Sequence, residues 1–233
     1  MRFSRLRRGI FALRPATYHG HVTDSPLIGV FALQGDVREH VRMLEVAGAR
    51  TRAVRRPSEL AGLDGIVIPG GESTTMYKLA RTFELFDPLR DAIRGGLPAF
   101  GTCAGMIMLA DHIEGGIQGQ ETIGGLDVVV RRNAFGRQVN SFEADLDVER
   151  LADRFHALFI RAPWVEKVGQ DVEVVATVAS GEAVGRIVAV RQANLLATSF
   201  HPEITGDHRM HALFVELVQS RPGSADAENE TRK

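Results

Sequence analysis

The single cysteine of this 233-residue chain lies between glycines, in Gly101-Thr102-Cys103-Ala104-Gly105, after an apolar run and before a helical stretch. A turn of the form G-x-nucleophile-x-G needs small neighbours, because backbone and side chains crowd where a strand turns sharply into a helix. Such a turn lifts the thiol above the C-terminal edge of a sheet. It also sets the sulfur at a helix N-terminus, whose partial positive charge favours thiolate. A small buried thiol between two glycines fits the same five residues, so the turn alone leaves both readings open.

A second segment moves the balance. Ser199-Phe200-His201-Pro202-Glu203 follows another apolar run. In extended chain, residues two apart point the same way, so His201 and Glu203 can lie side by side, with Pro202 restricting the backbone between them. That is a base and its orienting carboxylate: the histidine takes the thiol proton and later gives it to a leaving amine, while the acid holds the ring. Alone the segment reads as a loop turn; beside the elbow it reads as a relay. A third segment, Pro69-Gly70-Gly71-Glu72-Ser73, ends a further apolar run. An amide in this turn, with that of Ala104, could form an oxyanion hole, where one donor is typically worth about 10²–10³ in rate. Taken by itself it is a tight turn into a helix.

The elements that must position these groups follow from periodicity. LIGVFAL (27–33), LPAF (97–100) and NLLATSF (194–200) read as buried strands, and RTRAV (50–54) and GIVIP (65–69) as a second and a third strand. Helices are expected over Asp36–Gly48, from a Ser73/Thr74 cap onward, over Phe86–Arg94, from Ala104 to about His112, and over Asp207–Gln219 with Leu213, Leu217 and Val218 on one side. Alternation of strand and helix predicts a parallel sheet covered by helices. Between the glycine-rich 115–125 connection and residue 194, LDVVVRR, SFEADLDV, HALFIRA, VEVVATV and GRIVAVR look like strands joined without helices, a mixed or antiparallel continuation of the sheet. The fold class is therefore α/β, a single domain with a mixed central sheet flanked by helices and a nucleophile elbow. The connection at 115–125 is expected to stay clear of the catalytic positions, and His208 and His211 are expected at the surface.

Composition bounds the rest. With 44% apolar and 24% charged residues the chain is of globular type. No stretch approaches the roughly 18 consecutive apolar residues of a membrane helix. One cysteine supports neither an internal disulfide nor a cysteine-based zinc site. The net charge of −1 divides unevenly: residues 1–25 carry five arginines against Asp24, and the remainder carries 23 basic and 28 acidic groups. The body is mildly acidic, which argues against a nucleic-acid partner. Residues 1–25 are expected to be a basic extension, disordered or a start placed too far upstream, with a transit peptide compatible in composition. A domain is expected over 26–220, and a disordered polar tail over 221–233.

The three motifs together resemble class I glutamine amidotransferases. The segments LQGDVREH (33–40), PGGESTTM (69–76), FGTCAGMI (100–107), RRNAFGRQVNSFEADL (131–146), FIRAPWVE (159–166) and SFHPEITGDHR (199–209) are similar, in this order, to the glutaminase subunits of pyridoxal 5′-phosphate synthases. The resemblance covers about 27–220 and implies the following. Cys103, His201 and Glu203 match the catalytic triad. Gly71, Glu72 and Ser73 match the turn that holds L-glutamine, with the Gly71 and Ala104 amides as oxyanion donors. Arg132, Ile160 and Arg161 match substrate-binding positions, and Gln34 a position near the oxyanion turn and the partner contact. It further implies glutamine hydrolysis to glutamate and ammonia, with ammonia passing to a (β/α)₈-barrel synthase subunit in a large hetero-oligomer that makes the vitamin B6 cofactor. No metal or organic cofactor, membrane or nucleic acid enters this scheme, and its place would be the cytoplasm. Alternatives are the glutaminase subunit of another amidotransferase and a non-catalytic scaffold for the synthase.

Overall fold

The apolar runs that contain the three motifs become adjacent strands, because each hides both of its faces only inside a covered sheet. The computed structural model describes residues 25–134 and 141–220. In chain order the elements are β1 (Leu27–Phe31), α1 (Val37–Val46), β2 (Arg50–Val54), β3 (Gly65–Ile68), α2 (Ser73–Thr82), α3 (Phe86–Arg94), β4 (Ala99–Thr102), α4 (Ala104–Leu109) and β5 (Ala110–Glu114). They continue with β6 (Leu126–Arg131), β7 (Ser141–Leu146), β8 (Phe155–Ile160), β9 (Trp164–Val168), β10 (Glu173–Thr177), β11 (Ile187–Gln192), β12 (Leu195–Thr198) and α5 (Arg209–Gln219).

The main sheet runs β2-β1-β3-β4-β12-β11-β9-β6-β5, with β10 paired to β11 beside this path. The strands β2, β1, β3, β4 and β12 are mutually parallel. The direction reverses at β11, β9 and β6, and β5 runs parallel to β6. The mixed continuation expected from the sequence is thus present. Its boundaries differ: α4 ends at Leu109, short of His112, and the chain turns at once into β5. Its run of AGMIML is buried at every position, so hydrophobicity marks burial there but not where the helix stops. The strand β9 is an addition to the expected set, and β7 with β8 forms a separate antiparallel hairpin rather than part of the main sheet.

Alternation along the strands divides the core between the two faces. Ile66 and Ile68 of β3, Ala99 of β4 and Ala197 of β12 pack under α2, α3 and α4. Val67, Phe100 and Leu196, one residue out of step, pack with α1, α5 and the β7–β8 hairpin. Phe155 and Phe159 of β8 meet Phe200 at ring-centroid distances of 5.5 and 5.6 Å. This fastens the hairpin to the segment that carries His201. In α5 the buried side is Met210, His211, Phe214, Val215 and Val218. Leu213 and Leu217, expected there, are only partly buried. The basic extension lies outside the described residues except for Ser25, and the polar tail from 221 lies wholly outside them, as do residues 135–140 of the RRNAFGRQ segment.

The elbow depends on close backbone packing. A methyl placed on Gly105 would stand 2.0 Å from the Ile68 carbonyl oxygen, so α4 can start against β3 only without a side chain at this position. Gly105→Ala is expected to lower the unfolding free energy by about 3 kcal/mol, the upper part of the usual overpacking range. Urea unfolding measures this, and an unchanged midpoint would contradict the contact.

Candidate active site

Parallel strands end at one edge of a sheet, and that edge collects the candidate residues. Gln34 follows β1, Gly70 to Ser73 follow β3, Cys103 follows β4 and His201 follows β12, four neighbouring strands. Cys103 has φ 48° and ψ −103°, the left-handed region that a turn from strand to helix imposes. Its amide donates to Thr198 O at 2.8 Å, across the β4–β12 pair. Its sulfur, largely buried, lies 4.0 Å from Ile160 O at the end of β8 and within hydrogen-bonding reach of His201. The Ala104 amide opens α4 directly behind it.

His201 and Glu203 lie side by side as their spacing predicts. The His201 Nδ1 to Glu203 Oε1 distance is 2.7 Å and both residues are buried. The His201 amide donates to Leu158 O at 3.0 Å, so β8 fixes the backbone of this histidine. Burial disfavours the charged ring, but the Cys103 sulfur and the Glu203 carboxylate outweigh it and raise His201 to about 10. Burial pushes Glu203 above the usual carboxylate range, against the pull of His201. The arrangement can take a proton from the thiol and keep it on the imidazole. The turn at Gly70 packs against the same ring: a Cβ there would meet His201 Cε1 at 2.3 Å. Gly71 has φ 147°, and the neighbouring Glu72 amide donates to Gln34 Oε1 at 3.1 Å.

Gln34, Gly71, Glu72, Ser73, Cys103, Arg132, Ile160, Arg161 and His201 all line one cavity of about 480 Å³. Of the residues singled out from the sequence, Ala104 and Glu203 are outside this lining, Glu203 because it stands behind His201. The cavity also takes in Asp36, Ile107, Asn133 and Pro163. Asp36 brings Oδ2 to 3.9 Å from His201 Nδ1. Among the described residues, Asp36, His201 and Glu203 are the only trio of metal-ligand types gathered within 4.8 Å, two of them already joined by the His201–Glu203 hydrogen bond.

Glu72 is the residue whose role the structure changes most. The helix α2 is capped by Glu72, not by Ser73 or Thr74: Oε1 accepts from the Thr74 amide at 3.0 Å and Oε2 from the Thr75 amide at 2.7 Å. The same Oε1 takes Arg132 Nη2 at 2.9 Å, so the cap also aims the guanidinium into the cavity. Despite its partial burial, the Thr74 and Thr75 amides and hydroxyls hold Glu72 down at about 2. Gln120 adds a second support. Its Oε1 accepts from Arg132 Nη1 at 2.8 Å and its Nε2 donates to Ser73 Oγ at 3.2 Å. The 115–125 connection therefore reaches Ser73 and Arg132, though not Cys103, His201 or Glu203. A lone glutamine in a glycine-rich stretch carries no periodic signal that could have revealed this.

His211, expected at the surface, is fully buried, and so is His40 of α1. Helical spacing did not reveal it, because two polar residues on different helices become neighbours only when α1 and α5 pack.

A carboxylate held down in the folded state stabilises above its unfolded pKa, and that contribution is lost as pH falls through the folded value. Glu72→Gln is therefore expected to be less stable than wild type at pH 7, by about 1 kcal/mol for a weakened cap. The gap should narrow below about pH 4.5, on the way to the folded value of about 2. Urea titrations at pH 7 and pH 4 measure it; a gap independent of pH would contradict the ionised cap.

The comparisons with known proteins agree with this geometry. The model of the SNO glutamine amidotransferase family matches residues 30–220. A protein of Nocardioides sp. named pyridoxal 5′-phosphate synthase subunit PdxT is 68% identical over 197 residues, covering 84% of this chain and 98% of that protein. The protein of the same name from Streptomyces avermitilis is 62% identical over 198 residues, covering 84% and 96%. A solved structure described as a glutamine amidotransferase has a TM-score of 0.76 at 48% identity, covering 82% of this chain and 98% of that one. With a family model matched along nearly all of its described residues and relatives this similar, the chain belongs to the SNO glutamine amidotransferase family.

Proposed function

We propose that this protein is the glutaminase subunit of a pyridoxal 5′-phosphate synthase, hydrolysing L-glutamine to L-glutamate and ammonia within a unit spanning 26–220. The observation that carries the reading is the Cys103–His201–Glu203 series at the floor of a cavity walled by Arg132. His201 takes the Cys103 proton, and the thiolate adds to the side-chain carboxamide carbon. The Gly71 and Ala104 amides receive the oxyanion. The C–N bond breaks as His201 returns its proton to the leaving nitrogen, which departs as ammonia. Water, deprotonated by His201, then cleaves the thioester and restores the thiol. Glu203 holds the ring and balances its charge throughout. Arg132 and Arg161 supply the charge that an α-carboxylate needs, Glu72 and Ser73 line the amino-acid end, and Ile160 walls the site beside the sulfur.

In this reading the ammonia product goes to a separate synthase subunit; the relatives in Nocardioides and Streptomyces are named as subunits of a pyridoxal 5′-phosphate synthase, which supports a partner. Docking of that subunit on the Gln34 side would fix the Gly70–Gly71 peptide in its oxyanion orientation and raise the activity. Among the described residues no helix is long and apolar enough to cross a membrane, and a cytoplasmic site of action fits the reaction.

The test is a glutaminase assay with and without the synthase subunit. Wild type is expected to be fast only with its partner, and Cys103→Ala to lose at least 10³-fold in kcat while still docking. A diazoketone analogue of glutamine should label wild type at Cys103. No label and no ammonia in the complex would leave a non-catalytic scaffold as the reading. Arg132→Ala is expected to raise KM for glutamine by at least tenfold with a smaller change in kcat; an unchanged KM would remove Arg132 from the binding set.

A further inference from the structure

The Cys103–His201–Glu203 series does not end at the carboxylate. Behind it, fully buried, are two histidines from different helices. His40 Nε2 of α1 faces Glu203 Oε2 at 3.4 Å and Thr102 Oγ1 at 3.2 Å. On its other side, His40 Nδ1 lies 2.9 Å from His211 Nε2 of α5. The buried side-chain polar atoms of this group with no hydrogen-bond partner are Glu203 Oε2, which has His40 Nε2 as a 3.4 Å neighbour, and, at the far end, His211 Nδ1.

The protons in this chain can be placed by elimination. An orphaned buried N–H is costlier than an orphaned acceptor, so His211 carries its hydrogen on Nε2 and leaves Nδ1 bare. His211 then donates to His40 Nδ1, which forces the His40 hydrogen onto Nε2, the atom that faces Glu203. Each carboxylate oxygen thus faces one imidazole N–H: His201 on Oε1 and His40 on Oε2. Burial, and secondarily His211 and His201, hold His40 well below its ordinary value, so it meets Glu203 as a neutral dipole rather than a cation. Burial and then His208 likewise lower His211, to about 3. The charged and titratable groups that face the assembly are His201 and Cys103 in front of Glu203, Asp36 at the head of α1, and His208 beside His211.

We propose that His40 and His211 are positioning residues for the glutaminase reaction: His211 fixes the tautomer of His40, and His40 holds the second oxygen of Glu203 so that the carboxylate stays ionised and correctly turned toward His201. The inference rests on the glutaminase reading given above. Neither histidine touches substrate. Both act through Glu203, as a ligand's outer hydrogen-bond partner tunes the ligand it holds. Loss of the His40 N–H removes the dipole that stands 3.4 Å from Glu203 Oε2, which raises the pH at which Glu203 becomes protonated and stops supporting the imidazolium.

The experiment uses the full complex with its synthase subunit and compares wild type, His40→Met, His40→Gln and His211→Met. Thermal unfolding and docking to the synthase serve as folding controls. In His40→Met, kcat is expected to fall at least tenfold, KM to change less than twofold, and the acid limb of the kcat–pH profile to move to higher pH by at least half a unit. His40→Gln keeps a terminal N–H and should regain most of the kcat and the wild-type limb. His211→Met should move the limb the same way by a smaller amount, and it keeps the inference testable if His40→Met does not fold. With an active wild type, an unmoved acid limb in the variants overturns the proposal. So does an equal loss in Met and Gln variants with the limb in place, which marks packing alone. An inactive wild-type complex instead overturns the glutaminase reading.

Discussion

A backbone angle governs this site. Cys103 is held at φ 48°, a conformation that costs a side-chain-bearing residue of order 1–3 kcal/mol and persists only where the surroundings leave no alternative. Those surroundings are specific. The Cys103 amide is tied to Thr198 O, α4 starts flush against the Ile68 carbonyl at Gly105, and the wall of β8 stands 4.0 Å from the sulfur. Three parallel strands, β3, β4 and β12, and β8 of the separate hairpin supply these restraints, so the sheets set the position of the thiol and the loops around it add chemistry.

The carboxylates show how environment divides labour between like groups. Glu72, at the rim, is bound by backbone amides and a guanidinium and is driven strongly toward the anion. Glu203, out of water, is pushed the other way by burial and depends on imidazole donors to remain charged. One serves as a fixed counter-charge that aims Arg132, and the other as a responsive one behind the base. A single residue type thereby occupies both ends of the cavity without duplication of role.

Much of this was legible in the order of residues. The elbow could be read because crowding demands small neighbours around Cys103, and the His201–Glu203 pair because a two-residue spacing in extended chain admits one geometry. Of the five parallel strands, β1, β3, β4 and β12 could be read because buried strands are largely apolar, while β2, half exposed, showed only as a short β-prone run after α1. What escaped the reading depended on tertiary contact. The strand β5, with its exposed Asp111 and His112, has no apolar run, and β9 is half polar. The cap on α2 went to Glu72 because a longer side chain could reach two amides and Arg132 at once. His40 and His211 look like helix-surface residues until two helices meet over Phe100, whose ring stands 5.7 Å from that of His211.

The strand β12 comes last in the sequence yet sits inside the sheet, between β4 and β11. During synthesis Cys103 emerges 98 residues ahead of His201, on a chain whose sheet is still open at the place where β12 must insert. Pairing across so long a separation is slow, since loop closure must precede the contacts that reward it. Closure of the sheet brings Thr198 to the elbow and His201 to the thiol in the same event. A nascent or half-folded molecule therefore displays Cys103 without His201 and Glu203 beside it, and closure of the sheet is the event that assembles the proposed relay.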